Sequence, residues 1–167
     1  MFNKEKKANS NLLSSQPTGI LVFENGLTFP ARGIGHRGHS VGEVCFNTSM
    51  TGYQEIITDP SYSDQIINFT FPHIGNVGTN FEDIESEKVW LNGVIFAKEI
   101  TEPSNYRSFE KLNLWLEKNQ IVGVAGVDTR AITNLIRKKG ALKATIVNGN
   151  IADTKKYLEE CKNWPGL

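Results

Sequence analysis

The stretch at residues 42–62, GEVCFNTSMTGYQEIITDPSY, constrains the fold of this chain more than any other. It opens with alternating residues that place Val44 and Phe46 on one side of an extended strand. It ends in TDPS at residues 58–61, where proline pushes the preceding residue out of the helical region and aspartate can bond its own backbone. The pattern predicts a half-buried strand and then a tight, rigid loop that leaves the Ser61 hydroxyl free to act.

Apolar runs place most of the predicted strands in the first half of the chain. Residues 20–23 form the first, and Asn25-Gly26 after them indicates a type I′ hairpin turn, which requires positive φ at both positions. The glycine-rich stretch 33–42 does not match a phosphate-binding loop, because a strand follows it instead of a helix. We therefore expect a mobile surface connection there. Further strands are predicted at 65–71, 89–96, 121–127 and 144–147.

Helical signals come late in the chain. The predicted N-caps are, in chain order, Ser108, then Asp128 or Thr129, then Asp153. The first helix is expected over 109–118, the second is expected to end at Gly140, and the third turns Leu158 and Cys161 inward. A strand-rich first half with two or three helices in the second half predicts an α/β fold in which sheets are layered with helices.

Composition excludes several function classes. The 167 residues fit one domain, and 18 basic residues balance 18 acidic ones, which argues against a general nucleic-acid or membrane-surface binder. Two distant cysteines, Cys45 and Cys161, do not make a disulfide scaffold, so a reducing cytoplasm is the simpler expectation. Residues 1–18 are polar and lack the apolar core of a signal peptide, so we expect a disordered N-terminal tail.

No side chains in the sequence combine into a catalytic centre. His36 and His39, with a carboxylate such as Glu43, could collect a metal, but two histidines on a flexible loop are more often exposed polar residues. Cys45 lies in the middle of a strand, and Cys161 lies on a helix with no sharp elbow to expose it. We therefore expect no metal site and no catalytic residue in this chain.

Two long peptide runs carry a resemblance to a known family. FNTSMTGYQEIITDPSYSDQI at residues 46–66, followed by FPHIGNVGTN at 71–80, resembles the signature of the N-terminal domain of the small, glutamine-dependent subunit of carbamoyl phosphate synthetase. The likeness continues through VDTR at 127–130 and covers roughly residues 19 to 150. It implies a swivelling β/β/α arrangement with the helices on one side.

The resemblance also implies a domain organisation and an activity. Residues 19–152 would be the small-subunit N-terminal domain, and 153–167 a helix and the start of a linker to a glutamine amidotransferase domain. That missing domain would hold the Cys, His and Glu that hydrolyse glutamine. Its ammonia would pass to a large subunit, which makes carbamoyl phosphate from bicarbonate and ATP for arginine and pyrimidine synthesis. ATP and Mg would bind the large subunit, so the resemblance implies no cofactor in this domain.

Within this family the N-terminal domain supports the glutaminase domain and contacts the large subunit. One of its residues reaches the substrate: the serine of the DPSYS turn contacts glutamine, and that serine maps onto Ser61. A rival interpretation is that the Ser61 hydroxyl merely closes the turn. Tyr53, His73 and Asn76 are assigned to partner-facing or loop-bracing roles, and Asp128 is assigned to a helix cap rather than to an interface ion pair with Arg130.

Two other function classes stay open at this point. The chain could be a free-standing protein-interaction module on the same scaffold, without any glutamine chemistry. It could also be an autonomous thiol or metal hydrolase, which would require activity from the isolated chain. The first alternative and the family interpretation both predict no catalysis by these 167 residues.

Overall fold

The computed structural model describes residues 16–167. The strands are β1 Gly19–Phe23, β2 Thr28–Gly35, β3 Gly38–Asn47, β4 Gln65–Phe69, β5 Gly93–Phe96, β6 Val122–Ala125 and β7 Leu142–Asn148. The helices are α1 Tyr53–Thr58, α2 Leu112–Lys118, α3 Thr129–Lys139 and α4 Thr154–Asn163, with one 3₁₀ turn at Pro60–Tyr62. Most of the predicted tail 1–18 lies outside the described residues. Thr18, at its end, donates its backbone N–H to Ala31 and already joins the sheet.

The seven strands close into one barrel in the order β1-β2-β6-β5-β4-β3-β7. Neighbouring pairs are parallel from β3 through β4 and β5 to β6, and antiparallel elsewhere. Closure removes the exposed strand edges that an open sheet would have to protect. The mixed strands, with three of the four helices in the second half, agree with the predicted strand-rich α/β fold.

Apolar side chains fall into three clusters on the two faces of this sheet. The first fills the barrel with residues such as Leu21, Ile66 and Ile146, and α3 joins it through Ile132. The second lies outside β4 and β5, beneath α1 and α2. The third lies outside β1 and β7, beneath α4, with Tyr157 at its centre. Helices α1 and α2 therefore cover one side of the barrel together, while α3 and α4 pack on other parts of it.

The predicted mobile connection at 33–42 is wrong, because most of this stretch belongs to strands β2 and β3. The strands are joined by a tight turn after Gly35, which has a φ of 66°. The Asn148 side chain fixes the turn by donating to the carbonyls of Ile34, Gly35 and His36 at 3.0–3.1 Å. A Cβ on Gly33 would lie 1.9 Å from the Asn148 Oδ1, so glycine there permits close packing rather than mobility.

The first hairpin is also of a different type from the one predicted. Gly26 has a φ of 86°, but Asn25 is absent from the non-glycine residues with positive φ in the described chain. The Gly26 N–H donates to Phe23 O, and Phe23 N–H donates to Leu27 O, which defines a type I turn followed by a glycine bulge. The Asn25 side chain instead accepts from the Leu27 N–H at 3.0 Å. That bond stabilises the turn without a left-handed asparagine.

Two of the three predicted helix caps are confirmed. Asp128 accepts from the Ala131 N–H at 2.9 Å, and Asp153 accepts from the Lys156 N–H at 3.1 Å. Ser108 is not a cap, since α2 begins three residues later than expected, after Lys111, without a side-chain cap bond. Residues 108–110 pair with the loop at Thr79 instead. Tertiary pairing thus replaces the first helical turn.

Three predicted strands are shorter in the structure than in the sequence pattern. β4 ends at Phe69 and not at residue 71, β5 spans Gly93–Phe96 out of the predicted 89–96, and β6 spans Val122–Ala125 out of the predicted 121–127. In α4 the inward residues are Tyr157 and Cys161, and Leu158 is half-buried.

None of the helices in the described part of the chain is long and apolar enough to cross a membrane.

Candidate functional site

The predicted tight loop at residues 58–61 is a rigid turn that presents Ser61 to solvent. Pro60 occupies the first position of the 3₁₀ turn, where its fixed φ suits the geometry and its missing N–H costs nothing. The Asp59 Oδ1 accepts from the Ser61 backbone N–H at 2.8 Å. This bond closes the turn through the backbone of Ser61, and Ser61 itself is exposed.

The electrostatics of the turn follow from the same contacts. The Ser61 backbone N–H first, and its hydroxyl second, hold the pKa of the Asp59 carboxyl below its ordinary value. Asp59 is therefore ionised at neutral pH and keeps accepting from the turn. The hydroxyl interacts with Asp59 as the turn-closing interpretation supposes, but the backbone bond accounts for closure without it.

Polar residues around the turn brace it against neighbouring loops. The Asn47 side chain, at the end of β3, donates to the Tyr62 hydroxyl at 3.1 Å. The buried Thr58 hydroxyl donates to Gln54 O at 2.9 Å and accepts from the Glu85 N–H at 2.9 Å. These bonds satisfy groups that would otherwise be buried without partners. The amides and hydroxyls of this segment thus mainly support the loops.

Helix α1, which lies inside this polar run, was not predicted from the sequence. It has six residues, its N-cap is Gly52 with a φ of 76°, and no side chain caps it. A helix this short shows neither periodicity nor a cap signal, and packing of Ile57 against the second cluster stabilises it. The helix carries the chain from β3 to the Ser61 turn.

The other residues that the sequence singled out are partly explained by loop bracing. The buried Tyr53 hydroxyl donates to Gly78 O at 2.5 Å, and burial raises its pKa above the ordinary value. His73 is exposed, and its ring lies 5.9 Å from that of Phe71. Asn76 borders a cleft of about 210 Å³ together with Arg107. Tyr53 therefore braces a loop, while His73 and Asn76 face solvent.

Neither thiol is prepared for nucleophilic chemistry. Burial raises the pKa of Cys45 to about 11, and burial likewise raises that of Cys161 to about 11. The two cysteines are free and not joined in a disulfide.

The His39 ring packs 5.3 Å from the ring of Tyr157. Among residues 16–167, no three His, Cys, Asp or Glu side chains lie close enough to hold a metal.

Sequence reasoning missed a second cleft, which lies between α3 and the ends of β3 and β4. Its lining includes Arg130 and Arg137 together with threonine and asparagine side chains. From the sequence, Arg130 is weighed only as an ion-pair partner of Asp128. In the structure, Asp128 caps α3. The only available sequence signal was the seven-residue spacing of the two arginines, which places them on one helical face.

The fold places this chain in the class of mixed α/β domains with a closed seven-stranded barrel that is covered by helices and carries an exposed DPS turn. Comparison with known proteins identifies the family. The family model described as carbamoyl-phosphate synthase small chain, CPSase domain, matches residues 21–146. The chain therefore belongs to the carbamoyl-phosphate synthase small chain family.

Individual relatives support this assignment. The chain is 52% identical over 161 residues to the carbamoyl phosphate synthase small chain of Bartonella henselae. The matched residues cover 92% of this chain and 40% of that protein. It is 52% identical over 159 residues to the one of Bradyrhizobium diazoefficiens, with 91% and 40% covered. Against the Salmonella typhimurium protein it is 50% identical over 150 residues, with 90% and 39% covered. The chain thus spans about 40% of the length of these relatives.

Proposed function

We propose that this chain is the architectural domain of a glutamine-dependent carbamoyl phosphate synthase. In this role it supports a glutaminase domain and contacts a large chain that forms carbamoyl phosphate from bicarbonate, ATP and ammonia. The single observation that carries the proposal is the family match over residues 21–146, with about half of the residues identical in relatives that bear this name. ATP and Mg are assigned to the large chain, and a reducing cytoplasm suits the two free thiols.

The proposal assigns Ser61 to glutamine binding. Its hydroxyl is exposed on a turn that Pro60 and the Asp59 carboxylate hold rigid, so a bond to an amino-acid headgroup would not require a long side chain to be ordered. The Tyr62 and Asn47 contact ties the turn to the end of β3. These features support a positioned hydroxyl, and they leave the substrate contact as the proposal to be tested.

The test is Ser61→Ala in the complete two-chain enzyme. Losing one neutral hydrogen bond costs about 1 kcal/mol, which raises the apparent KM for glutamine several-fold. Turnover with free ammonia should stay at the wild-type level, because ammonia bypasses the glutamine site. Ser63→Ala is the matched control, since the Ser63 hydroxyl donates to the neighbouring Asp64 at 3.4 Å. Equal losses with both nitrogen sources would remove Ser61 from the glutamine site.

The proposal further states that the isolated 167 residues are inactive, because burial raises the pKa of both thiols instead of lowering it. The check is a glutaminase assay of this chain alone, and of the same chain mixed with a large chain. Absence of ammonia release together with stable binding to the large chain is the expected result. Binding to proteins other than a large carbamoyl phosphate synthase chain would favour the free-standing interaction module.

A further inference from the structure

The cleft beside α3 has a volume of about 340 Å³ and an entirely uncharged or basic lining. Thr48 follows directly after β3 and Thr70 directly after β4, so the two parallel strands end at this cleft. Helix α3 forms the opposite wall with Arg130 and Arg137. None of the described residues that line the cleft carries a carboxylate.

The two arginines of this cleft, unlike Arg32 and Arg107, have no ion-pair partner within the described part of the chain. Arg107 pairs with Glu82 at 3.0 Å and with Asp83 at 3.3 Å, and Arg32 pairs with Glu99 at 3.4 Å. Within residues 16–167, neither Arg130 nor Arg137 makes an ion pair. Asp128, the nearest acidic residue in sequence to Arg130, is engaged with the Ala131 N–H at the helix start. The positive charge of the cleft is therefore not held in an ion pair within the described residues.

The geometry of α3 lets both guanidinium groups reach one ligand. Residues 130, 134 and 137 lie on the same helical face, and seven residues span about 10 Å along the axis. Two arginine side chains can close a gap of that length. The guanidinium of Arg137 lies 5.3 Å from the ring centroid of Phe46, on β3, which holds its side chain at the cleft.

Some polar side chains of the cleft already form hydrogen bonds within the protein, and others are free to donate to a ligand. The Thr133 hydroxyl donates to Thr129 O at 2.8 Å, and the Thr70 hydroxyl donates to Asn47 O at 3.2 Å, so these two are occupied. The side chains that line the cleft without a hydrogen bond to another described residue are Thr48, Thr129, Arg130, Asn134 and Arg137. All five can donate.

We propose that this cleft binds a single oxyanion group, a phosphate or a carboxylate, between Arg130 and Arg137. Guanidinium forks match the planar and tetrahedral oxygen arrangements of these groups, and they bind them in charge-assisted pairs. The Asn134 amide and the Thr48 hydroxyl add neutral donors beside the charged ones. The inference does not depend on the proposed function.

The test uses the ¹⁵N-labelled 167-residue chain at low ionic strength, titrated separately with inorganic phosphate, sodium acetate and sodium chloride. The backbone and side-chain NMR signals of residues 130, 134 and 137 should shift as phosphate or acetate is added. The shifts should saturate and give a Kd on the order of 1 mM, because the site is open to water. Chloride at equal ionic strength should give only small, non-saturating shifts. Tighter binding of phosphate identifies a phosphate site, and equal or tighter binding of acetate identifies a carboxylate site.

Single substitutions test whether the NMR shifts arise from binding in the cleft. Arg130→Gln and Arg137→Gln should each weaken binding about tenfold, while Arg107→Gln, which removes the same charge from an arginine that is already paired, should leave it unchanged. All three side chains lie at the surface, so thermal unfolding should confirm that the variants stay folded. Failure of both phosphate and acetate to saturate, or equal weakening by all three variants, would overturn the proposal.

Discussion

Burial decides the chemistry of individual side chains in this molecule. Cys45 faces the second apolar cluster, and its thiol lies 3.8 Å from the Ile66 carbonyl, while Cys161 is buried under α4. Desolvation disfavours the thiolate in both places and raises both pKa values to about 11. Ser61 is the opposite case, because its turn is fixed by neighbours while the side chain stays exposed.

The thiols should therefore resist alkylation in the folded chain. With a pKa of about 11, about one thiol in a thousand is ionised at pH 8, so iodoacetamide should modify Cys45 and Cys161 very slowly. The rate should rise with pH, because deprotonation increases towards the raised pKa. Mass spectrometry of timed samples measures it, and the unfolded chain in denaturant is the control. Rapid labelling of either cysteine in the native chain would contradict the burial of its thiol.

At the scale of elements, local sequence signals act where tertiary packing agrees with them. The aspartates before α3 and α4 cap those helices, and Gly140 ends α3 with a φ of 82°. The serine before α2 does not cap it, because its segment pairs with the loop at Thr79. A cap signal is therefore decisive only when no competing backbone partner lies nearby.

The cap of α3 offers a direct measurement of this effect. Asp128→Ala removes the acceptor for the Ala131 N–H and should lower the free energy of unfolding by about 1 kcal/mol. For a domain of this size that corresponds to a fall in Tm of about 2–4 °C, measurable by circular dichroism. Asp128→Asn is the control, because asparagine caps equally well, and it should keep most of the stability. A similar loss in both variants would mean that charge, and not capping, stabilises this end of the helix.

At the scale of the whole molecule, barrel closure joins strands from opposite ends of the chain. β1 pairs with β7 along Gly19–Phe23 and Ala144–Asn148. Helix α4 covers the outside of this junction, where Tyr157 packs on Ile20, Val22 and Val147. The helix therefore stabilises the contact that closes the barrel, although it belongs to the segment that the sequence separated from the domain.

Tyr157 tests that role. Tyr157→Ala should lower the free energy of unfolding by about 3 kcal/mol, because it removes a buried ring from the third cluster. Tyr157→Phe keeps the ring and loses only the hydroxyl bond to Asn150 O, so it should cost about 1 kcal/mol. Chemical denaturation followed by circular dichroism and tryptophan fluorescence measures both variants. If the alanine variant unfolds like the wild type, α4 does not support the barrel.

The sequence by itself determined the features that depend on neighbouring residues. Alternation placed Val44 and Phe46 together on the face that packs in the barrel, and Asp-Pro fixed the turn at Ser61. Aspartate and glycine set the limits of α3, and two peptide runs identified the family. These signals act over a few residues, so a single chain displays them without its partners.

The tertiary structure decided the features that depend on residues far apart in the chain. Closure of the sheet brought β2 beside β6, and it turned the glycine-rich stretch 33–42 into paired strand instead of a mobile loop. Packing stabilised α1, which lacks a side-chain cap, and replaced the first turn of α2 with a bridge to Thr79. The cleft of Arg130 and Arg137 likewise exists only because two strand ends meet one helix face. Backbone pairing and burial across long sequence separations outweigh local preferences of a few tenths of a kcal/mol to about 1 kcal/mol per residue.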